Sequence, residues 1–251
     1  MEPMIRVQGV SGAPAAPAGA APMGIHLLPG AIECVATRYY VQGPGAVESP
    51  ALHPVHARVL FFTAGAGAVQ VDGVSWAFAE MAGLVTHGEA SIAIATAAGA
   101  LEYLEILIAL PEPEAGRLRR RGPYFVRYSQ CEPYTEAIKS PRTVSRTIVP
   151  AHTLPRFCMG SVEARGPDAV APHAHPILEQ LFFGLPGNRC VVSADRAEAV
   201  LGDRTLLHIP PGSWHGVRVG EGEAMHYLWM DFFKREEDLA YIRDQHRPIE
   251  G

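Results

Sequence analysis

"ARVLFFTAGAGAVQVDG" at residues 57–73 and "EQLFFGLPGNRCVVSAD" at residues 179–195 are two versions of one pattern. Each contains Leu-Phe-Phe, then a glycine-containing turn, then a valine-rich stretch in which apolar and polar residues alternate. Such alternation is typical of a β-strand with one buried face. Leu60 and Leu181, the leucines of the two copies, are 121 residues apart. The pattern therefore indicates an internal duplication of a β-rich unit.

Two further matches follow in the same order. "GLVTHGEAS" from Gly83 aligns with "RTLLHIPPG" from Arg204 at the same offset, and "ALEYLEILIAL" aligns with "AMHYLWMDFF" at an offset of 124. Short β-type runs between Gly, Pro, Asp and Asn residues recur in both halves, as expected for antiparallel sandwiches or barrels. The sequence predicts an all-β protein of two duplicated units, each a sandwich or a barrel. A short C-terminal helix is predicted at "KREEDLAYIRDQH", where Leu239 and Ile242 have helical spacing.

The overall charge excludes some classes of protein. The 251 residues carry a net charge of -5, with a pI near 6.1, which argues against a general nucleic-acid or membrane-surface binder. Arg117 and the run of arginines at 119–121 form the one tight basic cluster. We interpret it as a solvated connector between the two halves, with a partner-docking patch as the alternative.

Cysteine use and the N-terminus bear on location. The four cysteines are scattered without a CxxC pair, which fits a reducing compartment. No apolar run reaches the ~18 residues of a membrane span. "SGAPAAPAGAAPMG" lacks the basic and apolar regions of a secretory signal. We expect a cytoplasmic protein with a flexible arm that can order against a second subunit.

The segment "PHAHPILEQ" at residues 172–180 carries the first candidate site. His173 and His175 would lie on one face of a strand, and Glu179 would share that face if the strand continues. Two such histidines are also common as plain solvent-facing residues. His215, which follows a Pro-Pro-Gly turn in "GDRTLLHIPPGSWHGVRV", supplies a further candidate. Three imidazoles and one carboxylate suit Fe(II), Mn(II), Ni(II), Co(II) or Zn(II).

These two segments resemble the two signature motifs of the cupin superfamily, and the duplication makes the chain similar to a bicupin. The resemblance implies jelly-roll-like barrels. It also implies one divalent metal per chain, held by His173, His175, Glu179 and His215. The predicted organisation is a flexible arm at residues 1–24, a metal-free barrel at 25–115, a connector at 116–139, a metal-binding barrel at 140–235, and a C-terminal helix and tail at 236–251.

The first copy lacks these ligands. The 121-residue offset places Leu52, Pro54, Arg58 and Ile94 at the four ligand positions, so the first barrel should bind no metal. His53 and His56 are out of phase with the motif and are interpreted as loop residues. For His87 and His208, which the same offset superposes, we favour structural hydrogen bonds over metal ligation.

Other residues have weaker claims to a role. Gln180 should point to the strand face opposite Glu179, which favours packing or an interface. His226 is the candidate catalytic acid or base, provided that its face of the last strand points inward. Arg189 and Arg218 could anchor a substrate carboxylate, although surface arginines are common.

The predicted function is that of a metal-dependent enzyme acting on a small carboxylate or carbonyl metabolite. The fold alone cannot choose among a dioxygenase, an isomerase, a hydrolase and a decarboxylase. A dioxygenase, and hence an oxidoreductase, is favoured slightly because the open set of three histidines and one glutamate resembles the metal centres of cupin dioxygenases. The alternative is a non-catalytic cupin that senses a small molecule. A storage-type structural bicupin is disfavoured because it would not need intact ligands. We expect a homodimer, formed by sheet extension or exchange of arms, without nucleic-acid or membrane partners.

Overall fold

The computed structural model describes residues 5–10, 17–19 and 22–240. The chain forms two compact units: an N-terminal unit, Val10–Gln130, and a C-terminal unit, Met1–Gly9 with Cys131–Gly251. Nearly all the regular structure is β-strand, as predicted. None of the helices in the described ranges is long and apolar enough to cross a bilayer.

The elements up to residue 130 are β1 (Arg6–Gly9), β2 (Ile25–Leu27), β3 (Val35–Gln42), β4 (Val47–Glu48), β5 (His56–Ala64), β6 (Gly67–Val71), β7 (Val74–Phe78), β8 (Ala82–His87), β9 (Ile92–Thr96), β10 (Leu101–Ala109), α1 (Glu112–Arg121), β11 (Tyr124–Arg127) and a 3-10 turn (Tyr128–Gln130). The remainder are β12 (Pro133–Tyr134), β13 (Val144–Leu154), β14 (Phe157–Arg165), β15 (Asp168–His173), β16 (Leu178–Gly184), β17 (Arg189–Ala194), β18 (Ala197–Gly202), β19 (Thr205–Ile209), β20 (His215–Val219), β21 (Ala224–Phe233) and a 3-10 turn (Glu236–Asp238).

The C-terminal unit contains a seven-stranded sheet, in the order β1-β19-β16-β21-β14-β13-β12, and a four-stranded sheet, β15-β20-β17-β18. Its core lies between the sheets. Phe182, Leu207 and Tyr227 of the larger sheet pack with Val192 and Val217 of the smaller one. Because side chains alternate along a strand, these contacts identify which face of each strand is turned inward.

The N-terminal unit repeats this plan with sheets β11-β8-β5-β10-β3-β2 and β4-β9-β6-β7. Its core joins Phe62, Leu84 and Tyr103 of the larger sheet to Val69 and Ile94 of the smaller. The two units therefore share a two-sheet architecture, in keeping with the duplication that the sequence indicates.

Two segments differ from the sequence prediction. Within the expected flexible arm, Arg6–Gly9 form β1, which pairs with the edge of β19. The expected connector begins inside α1, whose Ala115 and Leu118 are buried. Acidic residues lie in the first turn of this helix and Arg119–Arg121 in its last turn, so the charges are arranged favourably for the helix dipole. The arginine cluster thus belongs to a packed helix. Residues 241–251 of the predicted C-terminal helix lie outside the described residues.

The structure also corrects the register of the duplication. Tyr103 pairs with Phe62, and its counterpart Tyr227 pairs with Gly184. On these strands the offset is therefore 122 residues, and Arg58 corresponds to Gln180. The Leu-Phe-Phe match in the sequence indicates an offset of 121 residues instead. A shift of one residue reverses the face on which every side chain of a strand lies, which changes the predicted site.

Candidate metal centre

Three histidines converge at one end of the C-terminal unit. His173 is the last residue of β15, and His215, the first residue of β20, lies opposite it in the ladder. His175 follows two residues after His173. The rings of His173 and His215 have centroids 4.4 Å apart, and that of His175 lies 4.9 Å and 5.4 Å from them. One nitrogen atom from each ring lies within 4.8 Å of the others, close enough to share a metal ion.

The Pro-Pro-Gly turn fixes His215 relative to His175. The backbone N–H of Gly212 donates to the His175 carbonyl oxygen at 3.0 Å, and that of Ser213 donates to Pro210 at 3.2 Å. Gly212 has a φ of 77°, a conformation that glycine adopts without steric cost. The sequence of this turn therefore sets the spacing between two of the histidines.

Hydrogen bonds to backbone carbonyl groups orient two of the three rings. Nδ1 of His173 lies 2.9 Å from the Ala171 carbonyl oxygen, and Nδ1 of His215 lies 3.0 Å from that of Ser213. A carbonyl oxygen can only accept, so each Nδ1 carries the proton and each Nε2 keeps its lone pair. In this tautomer Nε2 is the ring nitrogen that can act as a metal ligand.

A narrow cleft adjoins the histidines. The lining residues are His175, Leu178, Gln180, Ile209, Pro210, Ser213 and His215. His175 and His215 are 4% and 2% exposed, which places any bound metal in a largely desolvated environment.

Glu179, the predicted fourth ligand, does not reach this cluster. Its Oε2 lies 2.9 Å from Nε2 of His208, and both residues are on the face of their strands turned away from the core that contains Phe182 and Leu207. The prediction assumed that β15 continues through Glu179. Instead the chain turns at residues 176–177 and starts β16, so the even spacing from His175 does not carry the side chain to the same site. His208 makes a structural hydrogen bond, as expected.

Gln180 takes the inward position that was predicted for Glu179. It precedes Phe182 by two residues on the same face of β16 and lines the cleft with His175 and His215. Its Nε2 donates to Oδ1 of Asp231, the residue opposite it on β21, at 2.8 Å. The sequence prediction for Gln180, packing or an interface, does not include this position in the cleft.

His226, the predicted catalytic residue, lies on the other side of its sheet. Tyr227, its neighbour on β21, packs in the core, so His226 faces outward, where its Nε2 lies 3.8 Å from Oε2 of Glu163. Burial lowers the pKa of His226, and the Glu163 carboxylate only partly offsets this effect. The condition that made His226 a catalytic candidate, an inward face, is therefore not met.

The two arginines considered as carboxylate anchors are engaged at the surface. Arg189 forms an ion pair with Glu223 at 2.8 Å, and Arg218 binds both carboxylate oxygens of Glu198, at 2.6 and 2.9 Å. The side chains of both arginines are more than half exposed. Neither residue lines the cleft.

The N-terminal unit has different residues at the corresponding positions. Arg58 stands where Gln180 does and is fully buried, with its Nε 2.9 Å from Glu105. In the smaller sheet of the C-terminal unit, His215 lies opposite Ala194. In that of the N-terminal unit, Ile92 lies opposite Val71, the counterpart of Ala194. Ile92, and not Ile94, therefore takes the place of His215. An arginine and an isoleucine offer no lone pair to a metal.

The residues at the C-terminal site fit a divalent transition metal. Three imidazoles whose ring nitrogens lie within 4.8 Å of one another form a donor set for such ions. Two further polar atoms of the cleft, Oε1 of Gln180 and Oγ of Ser213, are buried and accept or donate no hydrogen bond within the described ranges. Buried polar atoms without partners are uncommon and point to a ligand.

Comparison with known proteins gives the fold. No family model and no curated protein matches the chain. Among solved structures, the S161A mutant of Bacillus subtilis oxalate decarboxylase OxdC is similar, with a TM-score of 0.71, 12% identity, and coverage of 92% of this chain and 77% of that one. YlbA from E. coli has a TM-score of 0.69 and 11% identity, and the match covers 92% of each chain. An IolB-like protein from Salmonella typhimurium has a TM-score of 0.68 and 14% identity, with coverage of 87% of this chain and 94% of that one. These neighbours are cupin-fold proteins, and this chain has the cupin fold.

Proposed function

We propose that the C-terminal unit is a metal-dependent enzyme centre that acts on a small carboxylate or carbonyl compound. The observation that carries this proposal is the convergence of His173, His175 and His215, each of which offers one ring nitrogen within 4.8 Å of the others. A bound divalent metal would supply Lewis acidity or activate water or oxygen. Fe(II), Mn(II), Ni(II) and Zn(II) are all compatible with this donor set.

The residues around the metal position have separate tasks in this proposal. The three histidines hold the ion, and the buried hydroxyl group of Ser213 is available to donate to a substrate carboxylate. Leu178, Ile209 and the proline turn exclude water from one side of the cleft.

We further propose that the chain is a bicupin whose N-terminal barrel binds no metal, because Arg58 and Ile92 occupy the corresponding positions. One metal per chain is then expected. Elemental analysis of the wild type, His175→Ala, and the paired control His53→Ala/His56→Ala tests both statements. We expect His175→Ala to lose most of the metal, because losing a ligand from a three-histidine site weakens binding strongly. Two metal ions per chain, or full retention by His175→Ala, would contradict the proposal.

A substrate panel distinguishes the possible reactions. Protein loaded with Fe(II) or Mn(II) is incubated with small mono- and dicarboxylates and hydroxy and keto acids, in air and under nitrogen. Oxalate is included because it is a small bidentate dianion and because a protein of the same fold decarboxylates it. Oxygen-dependent turnover with Fe(II) would support a dioxygenase, while full anaerobic turnover would favour a redox-neutral reaction. Saturable binding without turnover would favour a sensor.

Assembly and location are also proposals. The outer strands β7 and β18 of the two smaller sheets expose Val74 and Val200. Such edges can pair with a second copy, which supports a homodimer formed by sheet extension. All four cysteines are free thiols, three of them buried, which fits the cytoplasm. Light scattering at micromolar concentration tests the dimer, and a monomeric mass would contradict it.

A further inference from the structure

The side chain of Gln180 has a fixed orientation in the candidate metal centre. Its Nε2 donates to Asp231 at 2.8 Å, and the Asp231 carboxylate is 3% exposed. An ionised carboxylate can only accept hydrogen bonds, so it selects the NH₂ end of the amide and leaves Oε1 at the opposite end. Asp231 therefore determines which atom of Gln180 is free for another partner.

The free end of the amide is buried and requires a partner. Gln180 is only 6% exposed, and no donor within the described ranges reaches its Oε1. A buried amide oxygen without a hydrogen-bond donor destabilises the folded protein. The same side chain lines the cleft with His175 and His215. A cation held by the histidines would satisfy this oxygen.

We propose that the amide oxygen of Gln180, and not the carboxylate of Glu179, is the fourth protein donor to the metal, with Asp231 as its positioning residue. This inference rests on the proposed function and refines it. Glu179 is excluded by its place on the other face of β16 and by its hydrogen bond to His208. A metal ligand held by a further hydrogen bond is a common arrangement, because the second partner fixes the ligand's orientation.

The proposal specifies the charge of the centre. Three neutral imidazoles and a neutral amide donate no negative charge to a divalent ion, whereas a glutamate ligand would donate one. With the Asp231 carboxylate one hydrogen bond further out, the centre keeps a net positive charge in a poorly solvated environment and attracts anions. The substrate class that fits best is therefore a small anion that binds through two oxygens, such as an α-keto acid or a dicarboxylate.

Four variants of the whole protein test whether Gln180 or its neighbour Glu179 binds the metal. Mn(II) and Co(II) affinities are measured by calorimetry, and the visible spectrum of the Co(II) form reports its coordination. Gln180→Ala should weaken binding about tenfold or more and change the Co(II) spectrum. Glu179→Gln, which keeps a hydrogen-bonding partner for His208, should leave both unchanged. Asp231→Asn should weaken binding, because the introduced amide can donate to Oε1 and reverse the Gln180 side chain.

The double variant Gln180→Glu/Asp231→Asn serves as a rescue. It conserves volume and total charge, and the introduced amide donates to the introduced carboxylate, so the hydrogen bond persists in the reverse direction. Because the fourth donor would now be anionic, Mn(II) affinity should equal or exceed that of the wild type. Circular dichroism verifies that each variant is folded. If the double variant is folded and binds as weakly as Gln180→Ala, the proposal is overturned.

The remaining outcomes identify which proposal fails. A wild type that binds no Mn(II) or Co(II) would overturn the metal centre itself, and this inference with it. A wild type that binds metal, with Gln180→Ala unchanged in affinity and spectrum, would overturn this inference alone. Loss of binding in Glu179→Gln would restore Glu179 as the ligand and also contradict the proposal.

Discussion

Positions 179 and 180 differ by a single step along β16, and that step determines which side chain reaches the histidines. Every residue of Leu178–Gly184 except Glu179 is buried, so the strand is largely apolar on both faces. Alternation of apolar and polar residues identifies the inner face only when the outer face is polar. The sequence could therefore predict the strand and the three histidines, but the identity of the fourth residue required the ladder of the folded sheet.

His226 provides a residue-scale prediction about pH. Burial lowers its pKa in the folded protein, so the unfolded chain binds the proton more readily. The stability contribution of the neutral ring is complete above the unfolded pKa of about 6.5 and decreases as the pH falls through that value towards the folded pKa. When the pH is lowered from 7.5 to 5, the free energy of unfolding should therefore decrease less in His226→Asn than in the wild type.

Urea unfolding at these two pH values checks this prediction. Loading with Mn(II) at pH 7.5 supplies the control, since His226 lies outside the cleft and the variant should bind metal as the wild type does. An equal or larger acid-induced loss of stability in His226→Asn would count against the explanation.

At the scale of elements, the β17–β18 hairpin holds the histidine strand β20 in place. Oδ1 of Asp195 accepts from the Trp214 backbone N–H at 3.0 Å, and the Asp195 N–H donates to the Trp214 carbonyl at 2.8 Å. His215 is the next residue. In the N-terminal unit, Asp72 and Ser91 make the same pair of hydrogen bonds, with Ile92 next in the chain. The duplication thus offers a matched control.

Asp195→Ala should weaken Mn(II) binding about tenfold, because it releases the loop that positions His215. Asp72→Ala removes the equivalent bond next to Ile92 and should lower stability by about 1 kcal/mol, with no change in metal affinity. Calorimetric titration and urea unfolding of both variants measure the two effects. Equal metal affinity in both variants would show that the hairpin has no role in positioning the histidine.

The sequence does contain the signals that predict helix α1. Pro111 and Pro113 at its start, acidic residues in its first turn and arginines in its last are typical helix signals. Ala115 and Leu118, three residues apart, form its buried stripe. The run of arginines favoured a solvated connector because its charge was considered apart from these flanking residues.

At the scale of the whole molecule, the N-terminal barrel contains an ion pair where the C-terminal barrel has its candidate metal centre. Arg58 is fully buried and Glu105, 2% exposed, also accepts from the Tyr40 hydroxyl at 3.1 Å. Glu105→Leu should destabilise the protein by about 3–5 kcal/mol, because it leaves the Arg58 cation buried without its carboxylate.

Adding Arg58→Met to Glu105→Leu should recover most of that stability, since replacing both charges by apolar groups removes the uncompensated cation. Thermal and urea unfolding of the single and double variants measure the difference. A double variant as unstable as Glu105→Leu would show that shape, and not charge, makes this position critical.

The sequence predicted the duplication and the β class, because both depend on local alternation and turns. It did not reveal that the C-terminal unit is built from both ends of the chain. Strand β1 contributes Arg6–Gly9 to the edge of the seven-stranded sheet, and a tetrapeptide within an Ala/Pro-rich arm has too short a pattern to identify as a strand. Long-range pairing of this kind follows from the partner strand β19 and not from the segment itself.

The pairing of β1 with β19 means that the chain cannot be divided into two self-sufficient halves at residue 130. A fragment of residues 131–251 would lack β1 and would leave one side of β19 without backbone partners, immediately before the turn that leads to His215. A synthetic peptide spanning residues 1–10 could insert at that vacant edge and complete the sheet, as in donor-strand complementation. The amino terminus is thus a natural position for a split-protein reporter, in which rejoining of the two pieces would be read from the recovery of metal binding.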